Sequence, residues 1–206
     1  MTTIPAGGDL ESFAKNLWLM PYVGLLLGAL ISLPLFIDPV LCVIAYVALE
    51  GINHIDGLAD FGDSCFAPRE RKREALKDTR IGAGGVAFVA VYFAILTHSF
   101  EHVKVLDIVF AQFAAKFSML LMLTFAKPAW QGIASELMKH ARKRDVLAGI
   151  IPVAVALNYA PFLVISALVA FVMVRYGKKN FDGVSGDLAG AANCITFASC
   201  LLAASL

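Results

Sequence analysis

LWLMPYVGLLLGALISLPLFI, residues 17–37, is a run of 21 residues without a charged side chain. An α-helix rises about 1.5 Å per residue, so about 20 apolar residues cross the hydrocarbon core of a bilayer. This stretch therefore predicts a transmembrane helix. It follows Asp9, Glu11 and Lys15, and no convincing small-residue cleavage site accompanies it. We therefore do not expect a cleaved signal peptide.

The rest of the chain also has the composition of a membrane protein. Of its 206 residues, 59% are hydrophobic and 16% are charged, whereas a soluble domain has about 25% charged residues. The apolar residues form long blocks and do not alternate with polar ones, which argues against a soluble fold. The net charge of +1 does not by itself indicate a nucleic-acid partner. We predict an all-α, polytopic membrane bundle that forms a single domain over residues 1–206.

The apolar blocks predict seven transmembrane helices, with six as the alternative. The second block is short, so its helix is expected to continue into the polar segment after Glu50. The block Val146–Val174 is too long for one ordinary span, and Asn158 and Pro161 predict a turn near residues 159–160 that divides it in two. The blocks are Leu17–Ile37, Pro39–Leu49, Gly84–Phe100, Leu106–Ala126, Val146–Val174 and Leu188–Leu206.

Lysine and arginine residues predict the orientation of these helices. Seven helices place 15 of the 17 basic residues, Lys15 among them, on one face. The positive-inside rule makes that face cytoplasmic. We expect a multi-pass protein of the cell (inner) membrane with its active site facing the cytoplasm. Apart from Lys15, these basic residues lie between Asn53 and Ile81, between Lys127 and Asp145, and between Arg175 and Asp187.

Three aspartates occur at helical spacing after the second block. Asp56, Asp60 and Asp63 are at positions i, i+4 and i+7, which share one face of a helix. Such crowding of negative charge is unfavourable unless a cation neutralises it, and hard oxygen ligands suit Mg²⁺ or Mn²⁺. Gly57 and Gly62 would leave room for a phosphate or a neighbouring helix. A solvated acidic helix end is the alternative.

A glycine-rich segment follows, and it opens the next predicted helix. Its backbone N–H groups and the positive end of the helix dipole could meet an anion, with Lys77 and Arg80 pairing to phosphate oxygens. Snorkelling basic side chains beside a flexible turn are the alternative. The glycines in question include Gly82 and Gly85.

A third polar segment precedes the last helix. Asp182 and Asp187 could join a metal site or hold a ribose hydroxyl, or Asp187 could simply cap the helix. Lys116 lies near the middle of its span, so we expect it to face the bundle interior and an acidic or phosphate partner.

The remaining metal-ligating residue types have simpler interpretations. His98 and His102 are four residues apart, and we interpret them as polar residues at the membrane interface in preference to a metal pair. The cysteines lack C-x-x-C spacing, and we interpret them as buried small hydrophobic residues.

In these three segments the chain resembles the cobalamin synthase family, integral-membrane adenosylcobinamide-GDP ribazoletransferases. The resemblance covers nearly the whole chain. The first signature, G-x-x-H-x-D-G-L-A-D-x-x-D, is matched from Gly51 to Asp63. The second, K/R-D-x-R-I-G-x-x-G, is matched from Lys77 to Gly85. The third, G-x-T/S-G-D-x-x-G-A, is matched from Gly183 to Ala191, with Ser185 where threonine is usual.

This resemblance implies a late step of cobalamin assembly. The hydroxyl of α-ribazole, or of its 5′-phosphate, attacks the cobinamide-linked phosphate of adenosylcobinamide-GDP. GMP leaves, and adenosylcobalamin or its 5′-phosphate is formed. The expected partners are these two substrates and the lipid bilayer, with no nucleic acid. Glycine and alanine in several spans are compatible with self-association into a homo-oligomer. The implied fold is distantly like that of the CDP-alcohol phosphotransferases.

The resemblance also suggests roles for the singled-out residues. Mg²⁺ would stabilise the charge of the leaving diphosphate. The proton of the attacking hydroxyl needs a base, for which His54 and the aspartates, Asp60 among them, are candidates. The expected metal ligands are Asp56, Asp60 and Asp63; the expected substrate contacts are Lys77, Arg80, Gly82, Gly85, Ser185 and Asp187.

Two other functions are compatible with parts of the pattern. CDP-alcohol phosphotransferases also have an Asp-Gly-x-x-Ala run, but there an arginine follows where this chain has Asp60, and the later aspartates do not fit. A cation or solute transporter could use the carboxylates, but transport sites usually lie near the midplane between repeats, and no repeat is visible here.

Cysteine labelling tests the predicted orientation. Single cysteines placed between residues 54 and 80 should react with a membrane-impermeant maleimide only after the cells are opened. A cysteine beside Lys104 should react in intact cells, and a chain with its native cysteines replaced by serine is the control. Labelling of residues 54–80 from outside the cell would contradict the orientation.

Overall fold

The structure, a computed structural model, describes residues 10–78 and 80–206 and is all-α, as predicted. An isolated bridge between Pro128 and Val184 is the sole β-type pairing in these ranges. The α-helices are α1 (Leu10–Ala14), α2 (Met20–Ser32), α3 (Pro39–Glu50), α4 (Ile52–Phe66), α5 (Lys72–Ala75), α6 (Ala83–Phe100), α7 (Val105–Phe125), α8 (Ile133–His140), α9 (Lys143–Gly149), α10 (Ile151–Val155), α11 (Ala160–Phe181) and α12 (Gly186–Ser205). Short 3₁₀ segments are Leu17–Leu19, Leu33–Phe36, Arg69–Arg71 and Leu157–Tyr159.

Membrane-length helices confirm a polytopic bundle. Within the described ranges, five stretches are long and apolar enough to cross a membrane, and the bent pair α3 and α4 makes six if counted as one span. The predicted number of seven is therefore one higher than the largest count. The alternative of six equals it.

The difference arises between α7 and α11. A 3₁₀ segment, Leu157–Tyr159, leads into α11, so the turn predicted near residues 159–160 is present. The residues before it form α9 and α10, of seven and five residues, and not a helix of membrane length. Pro152 is in the first turn of α10 and has no N–H to continue the hydrogen bonds of α9.

These short helices nevertheless carry the chain from one end of α7 to the other. Lys127 follows the C-terminus of α7, and its carbonyl accepts a hydrogen bond from the Val184 N–H at 2.8 Å, just before α12. Tyr159 donates its hydroxyl to Asp107, near the N-terminus of α7, at 2.9 Å. The basic segment that follows α7 and the basic C-terminal end of α11 therefore lie at the same end of the bundle, as the prediction of seven helices required.

A sharp bend separates α3 from α4. The sequence predicted one helix that continues past Glu50, but the two helices meet at 95°. Gly51, at the junction, has φ of 82°, a backbone conformation that a residue with a side chain rarely adopts. Because of the bend, α4 runs past the first turns of α6 and α12, where it makes close backbone contacts through Gly62 and Gly57.

The centre of the bundle is formed by α7 and α12. In each, 67% of the residues in the membrane-length window are buried, compared with 22% in the stretch that contains α11. Gly24 and Gly28 allow α2 to approach α7 closely, because a Cβ on Gly28 would lie 2.6 Å from the Val109 Cα. The bundle is thus tightest around α7, while α11 exposes much of its apolar surface.

The packing of α2 on α7 can be tested at Gly28. Gly28→Ala should destabilise the protein by about 1–3 kcal/mol, because the added methyl group overlaps the backbone of α7. Gly132→Ala is the matched control, since nothing lies within 4 Å of the added Cβ there. The measurement is the melting temperature in detergent. Equal melting temperatures for the two variants would contradict the close approach.

Candidate functional site

Four separate segments of the chain line a cleft of about 300 Å³. Asp56 and Asp60, one turn apart on α4, face it, and Asp187 joins them from the first turn of α12. With Asp78, the lining contains four carboxylates, and Lys77 is its one basic residue among those that the structure describes. This excess of negative charge attracts cations. The remaining lining residues are Leu76, Lys77, Asp78 and Trp130.

Gly57 allows the backbone at Asp187 to approach α4, so that Asp187 lies beside the α4 aspartates. A Cβ on Gly57 would lie 2.6 Å from the Asp187 carbonyl oxygen, closer than real Cβ contacts come. Five residues further along α4, a Cβ on Gly62 would lie 2.7 Å from the Gly84 carbonyl oxygen in α6. The prediction that these glycines admit a neighbouring helix is confirmed, and α4 has such a neighbour on two sides.

Asp63 has a different environment from Asp56 and Asp60. One of its carboxylate oxygens accepts the N–H of Gly82 at 2.7 Å, and the other accepts the N–H of Gly85 at 2.8 Å. Asp63 therefore ties the start of α6 to α4, and it does not line the cleft. The predicted metal role of Asp63 gains no support from this geometry. The two glycine amides, expected to meet an external anion, meet a carboxylate of the chain itself.

The two cations expected at the diphosphate are separated. Lys77 lines the cleft, with its ammonium 4.4 Å from the centroid of the Trp130 ring. Arg80 is largely exposed and donates two hydrogen bonds to Asp78, at 2.9 and 3.1 Å. These hydrogen bonds lower the pKa of Asp78 below its ordinary value, so its carboxylate is ionised at neutral pH. Of the two predicted cations, Lys77 is the one positioned to meet a ligand in the cleft.

The cleft carboxylates match a divalent cation in chemistry. Asp56, Asp60 and Asp187 offer hard oxygen donors, and none of them forms an ion pair with a basic side chain in the described ranges. No three His, Cys, Asp or Glu side chains in residues 10–78 and 80–206 are close enough to form a ready-made metal site. The donors therefore fit Mg²⁺ by type, and they would have to converge to bind it.

Ser185 determines where α12 begins. Its hydroxyl oxygen accepts the Leu188 N–H at 3.3 Å, so Ser185 caps the helix and Asp187 does not. This cap leaves the Asp187 side chain directed to the cleft. Asp182 ends α11 with φ of 61°, is exposed, and is not a lining residue of the cleft.

His54 lies in a buried cluster away from the cleft lining. It is 5% exposed, and its Nε2 is 3.1 Å from Glu50 Oε1 and 3.4 Å from Lys116 Nζ. Asp60, in contrast, is half-buried and faces the cleft. The structure thus separates the two candidate bases, and Asp60 is the one that a ligand in the cleft could reach.

Glu50 is the acidic partner that was predicted for Lys116. Both are buried, and they form an ion pair between α3 and α7. Lys116 also donates to Asn193 Oδ1 at 3.0 Å, and Glu50 accepts from Gln112 and Asn193, each at 3.1 Å. The network joins α3, α7 and α12 next to the bend at Gly51. Gln112 and Asn193 were missed because a lone amide within an apolar run has no distinctive spacing.

The other histidines and the cysteines lie apart from the cleft. His98 and His102 are exposed toward the C-terminal end of α6, with ring centroids 4.8 Å apart. Cys42, Cys194 and Cys200 are buried, as predicted, and Cys65 is half-buried. Trp130 and Leu76 are the lining residues that sequence reasoning missed, because neither belongs to one of the recognised motifs.

Known proteins resemble this chain over nearly its whole length. The family model described as cobalamin-5-phosphate synthase matches residues 1–205. Two Archaeoglobus fulgidus proteins named adenosylcobinamide-GDP ribazoletransferase are 49% and 43% identical, each over 98% of this chain and 92% of the relative. A protein of the same name from Thermococcus onnurineus is 34% identical over the same shares. No solved structure matches the chain.

The buried ion pair predicts a double-mutant result. Lys116→Met leaves the Glu50 carboxylate buried without its cation and should destabilise the protein by about 3 kcal/mol or more. Adding Glu50→Gln removes that charge and should restore much of the stability. Lys139→Met, which breaks the exposed pair with Glu136, is the control and should change stability by less than about 1 kcal/mol.

Melting temperatures of the three variants and the parent in detergent measure these effects. Equal losses for Lys116→Met and for the double variant would contradict the pairing.

Proposed function

The chain belongs to the cobalamin-5-phosphate synthase family, and on that premise we propose that it joins adenosylcobinamide-GDP to α-ribazole or α-ribazole 5′-phosphate. It is an enzyme, a transferase of phosphorus-containing groups. The ribazole hydroxyl oxygen forms a bond to the cobinamide-linked phosphorus. The bond from that phosphorus to the bridging oxygen breaks, and the bridging oxygen leaves with GMP.

The cleft is the observation that supports this assignment of the active site. Its lining includes Asp56, Asp60, Asp187, Lys77 and Trp130. Apart from Leu76 and Trp130, its lining residues lie in the three signature segments, and it combines carboxylates with a cation and an aromatic ring. Lys77 is exposed and on a flexible stem, so its ammonium can pair with the diphosphate. Asp56, Asp60 and Asp187 would hold Mg²⁺, which supplies positive charge to the departing phosphate.

Asp60 is the candidate base that the cleft contains. The proton of the ribazole hydroxyl needs an acceptor within hydrogen-bond reach in the complex. His54 is enclosed by Glu50 and Lys116, so we assign it a positioning role at the start of α4. The comparisons give no support to a CDP-alcohol phosphotransferase or to a transporter.

The placement of the basic residues supports a cytoplasmic orientation of the cleft. Lys77, Trp130 and Asp187 belong to the three polar connections that contain most of the lysine and arginine residues, and they line one cleft. On the basis of the positive-inside rule, we propose that the cleft is on the cytoplasmic side of the cell membrane. Nucleotide substrates would reach it from the cytosol.

Substitution of the cleft aspartates tests the proposed site. Asp60→Asn and Asp187→Asn should each lower turnover by about a hundredfold or more, because an amide neither accepts the proton nor binds the cation comparably. The assay measures GMP release by the protein in liposomes with Mg²⁺, adenosylcobinamide-GDP and α-ribazole. Asp182→Asn is the matched control at the same end of the bundle and should retain activity, since asparagine tolerates φ of 61°.

Asp63→Asn distinguishes an anchoring role from a metal role. If Asp63 anchors α6, this variant should lose melting temperature together with activity, whereas Asp60→Asn should keep the parental melting temperature. Full activity in Asp60→Asn would remove Asp60 from the mechanism. Release of a product from CDP-alcohols in place of GMP would favour the rival transferase.

A further inference from the structure

A second concave surface lies at the C-terminal end of α11, separate from the aspartate cleft. This groove, of about 460 Å³, is lined by Arg175, Tyr176, Lys178 and Lys179 and shares no residue with the cleft. No carboxylate lines it, and none of its three basic side chains forms an ion pair within the described part of the chain. Three neighbouring positive charges without a counter-ion favour an anion in the groove.

The surface of α11 below the groove is apolar. Val164, Leu168 and Phe171 are 69%, 61% and 62% exposed, and with Arg175 they recur every three or four residues along one face of the helix. The Arg175 guanidinium lies 6.0 Å from the centroid of the Phe171 ring, so the basic end continues directly from the apolar face. Because α11 lies in a stretch that is long and apolar enough to cross a membrane, this face is suited to contact with hydrocarbon. A ligand seated here meets apolar side chains along the helix and cations at its end.

Tyr176 connects the groove to α4. Its hydroxyl forms hydrogen bonds with Ser64 at 2.9 Å and with the Lys72 ammonium at 3.1 Å. Lys72 also donates to the backbone carbonyls of Ser64 and Cys65, at 2.8 and 3.1 Å. These contacts hold the groove in place against the C-terminal end of α4, and they add a fourth positive charge behind it.

We propose that this groove binds the phosphate headgroup of an anionic phospholipid, whose acyl chains lie along Leu168 and Phe171. Free phosphate would pair with the three basic side chains but would make no contact with the apolar face beside them. A phospholipid matches both parts, and basic pockets at the cytoplasmic ends of membrane helices are suited to such headgroups. The proposal concerns a surface outside the aspartate cleft, so it does not depend on the proposed reaction.

Lipid retention by a charge-depleted variant tests the proposal. The variant replaces the three basic residues of the groove with glutamine, which removes three positive charges and keeps polar side chains. It is Arg175→Gln/Lys178→Gln/Lys179→Gln. The matched control, Arg142→Gln/Lys143→Gln/Arg144→Gln, removes three exposed positive charges from another basic segment at the same end of the bundle. Native mass spectrometry would count phosphatidylglycerol and phosphatidylcholine molecules retained by each protein. The parent and the control should prefer phosphatidylglycerol, and the α11 variant should bind it at least about tenfold more weakly.

Three results would overturn the proposal. An equal loss of phosphatidylglycerol in the control would show that general surface charge attracts the lipid. No preference of the parent for phosphatidylglycerol, with inorganic phosphate bound instead, would assign the groove to a free anion. A raised KM for adenosylcobinamide-GDP in the α11 variant, with lipid retention unchanged, would assign the groove to the substrate. Melting temperatures of both triple variants establish that each is folded.

Discussion

The buried ion pair between Glu50 and Lys116 is the interaction around which the rest of this structure is organised. Two charged groups inside a membrane bundle are costly unless they are paired and hydrogen-bonded, and here Gln112 and Asn193 supply the additional hydrogen bonds. The pair joins the last residue of α3 to the centre of α7. It therefore fixes the point at which the chain turns by 95° at Gly51 and starts α4 in a new direction.

The direction of α4 brings its carboxylates to a single end of the bundle. Gly57 and Gly62 let the backbones of α12 and α6 approach α4 from two sides. The contact at Gly57 brings Asp187 to the cleft, and Asp63 holds the start of α6 through two backbone amides. Among the signature residues of α4, Asp56 and Asp60 therefore face the cleft, whereas Gly57 and Asp63 contact the neighbouring helices.

The same end of the bundle has two surfaces of opposite charge. The cleft is lined by four carboxylates and a lysine, and the groove on α11 is lined by three basic side chains. Tyr176 and Lys72 link the groove to the C-terminal end of α4, so the helix that presents Asp56 and Asp60 also touches the basic surface. The basic side chains and the cleft carboxylates are therefore kept on separate surfaces, and in the described part of the chain no residue is shared between the two linings.

Local features of the sequence determined the class of the protein, its family and part of its site. Runs without charge, such as residues 17–37, require lipid as solvent, and helical periodicity alone places Asp56 and Asp60 on one face. Only the tertiary structure decided that Asp187 faces the cleft and Asp63 does not, that Glu50 pairs with Lys116, and that Trp130 joins the lining. The division of residues 143–155 into the short helices α9 and α10 was likewise decided by the tertiary structure, because a hydropathy profile does not show where a helix is interrupted. The physical reason is that periodicity specifies the faces of one helix, whereas helix neighbours and carboxylate partners depend on packing between residues far apart in the chain.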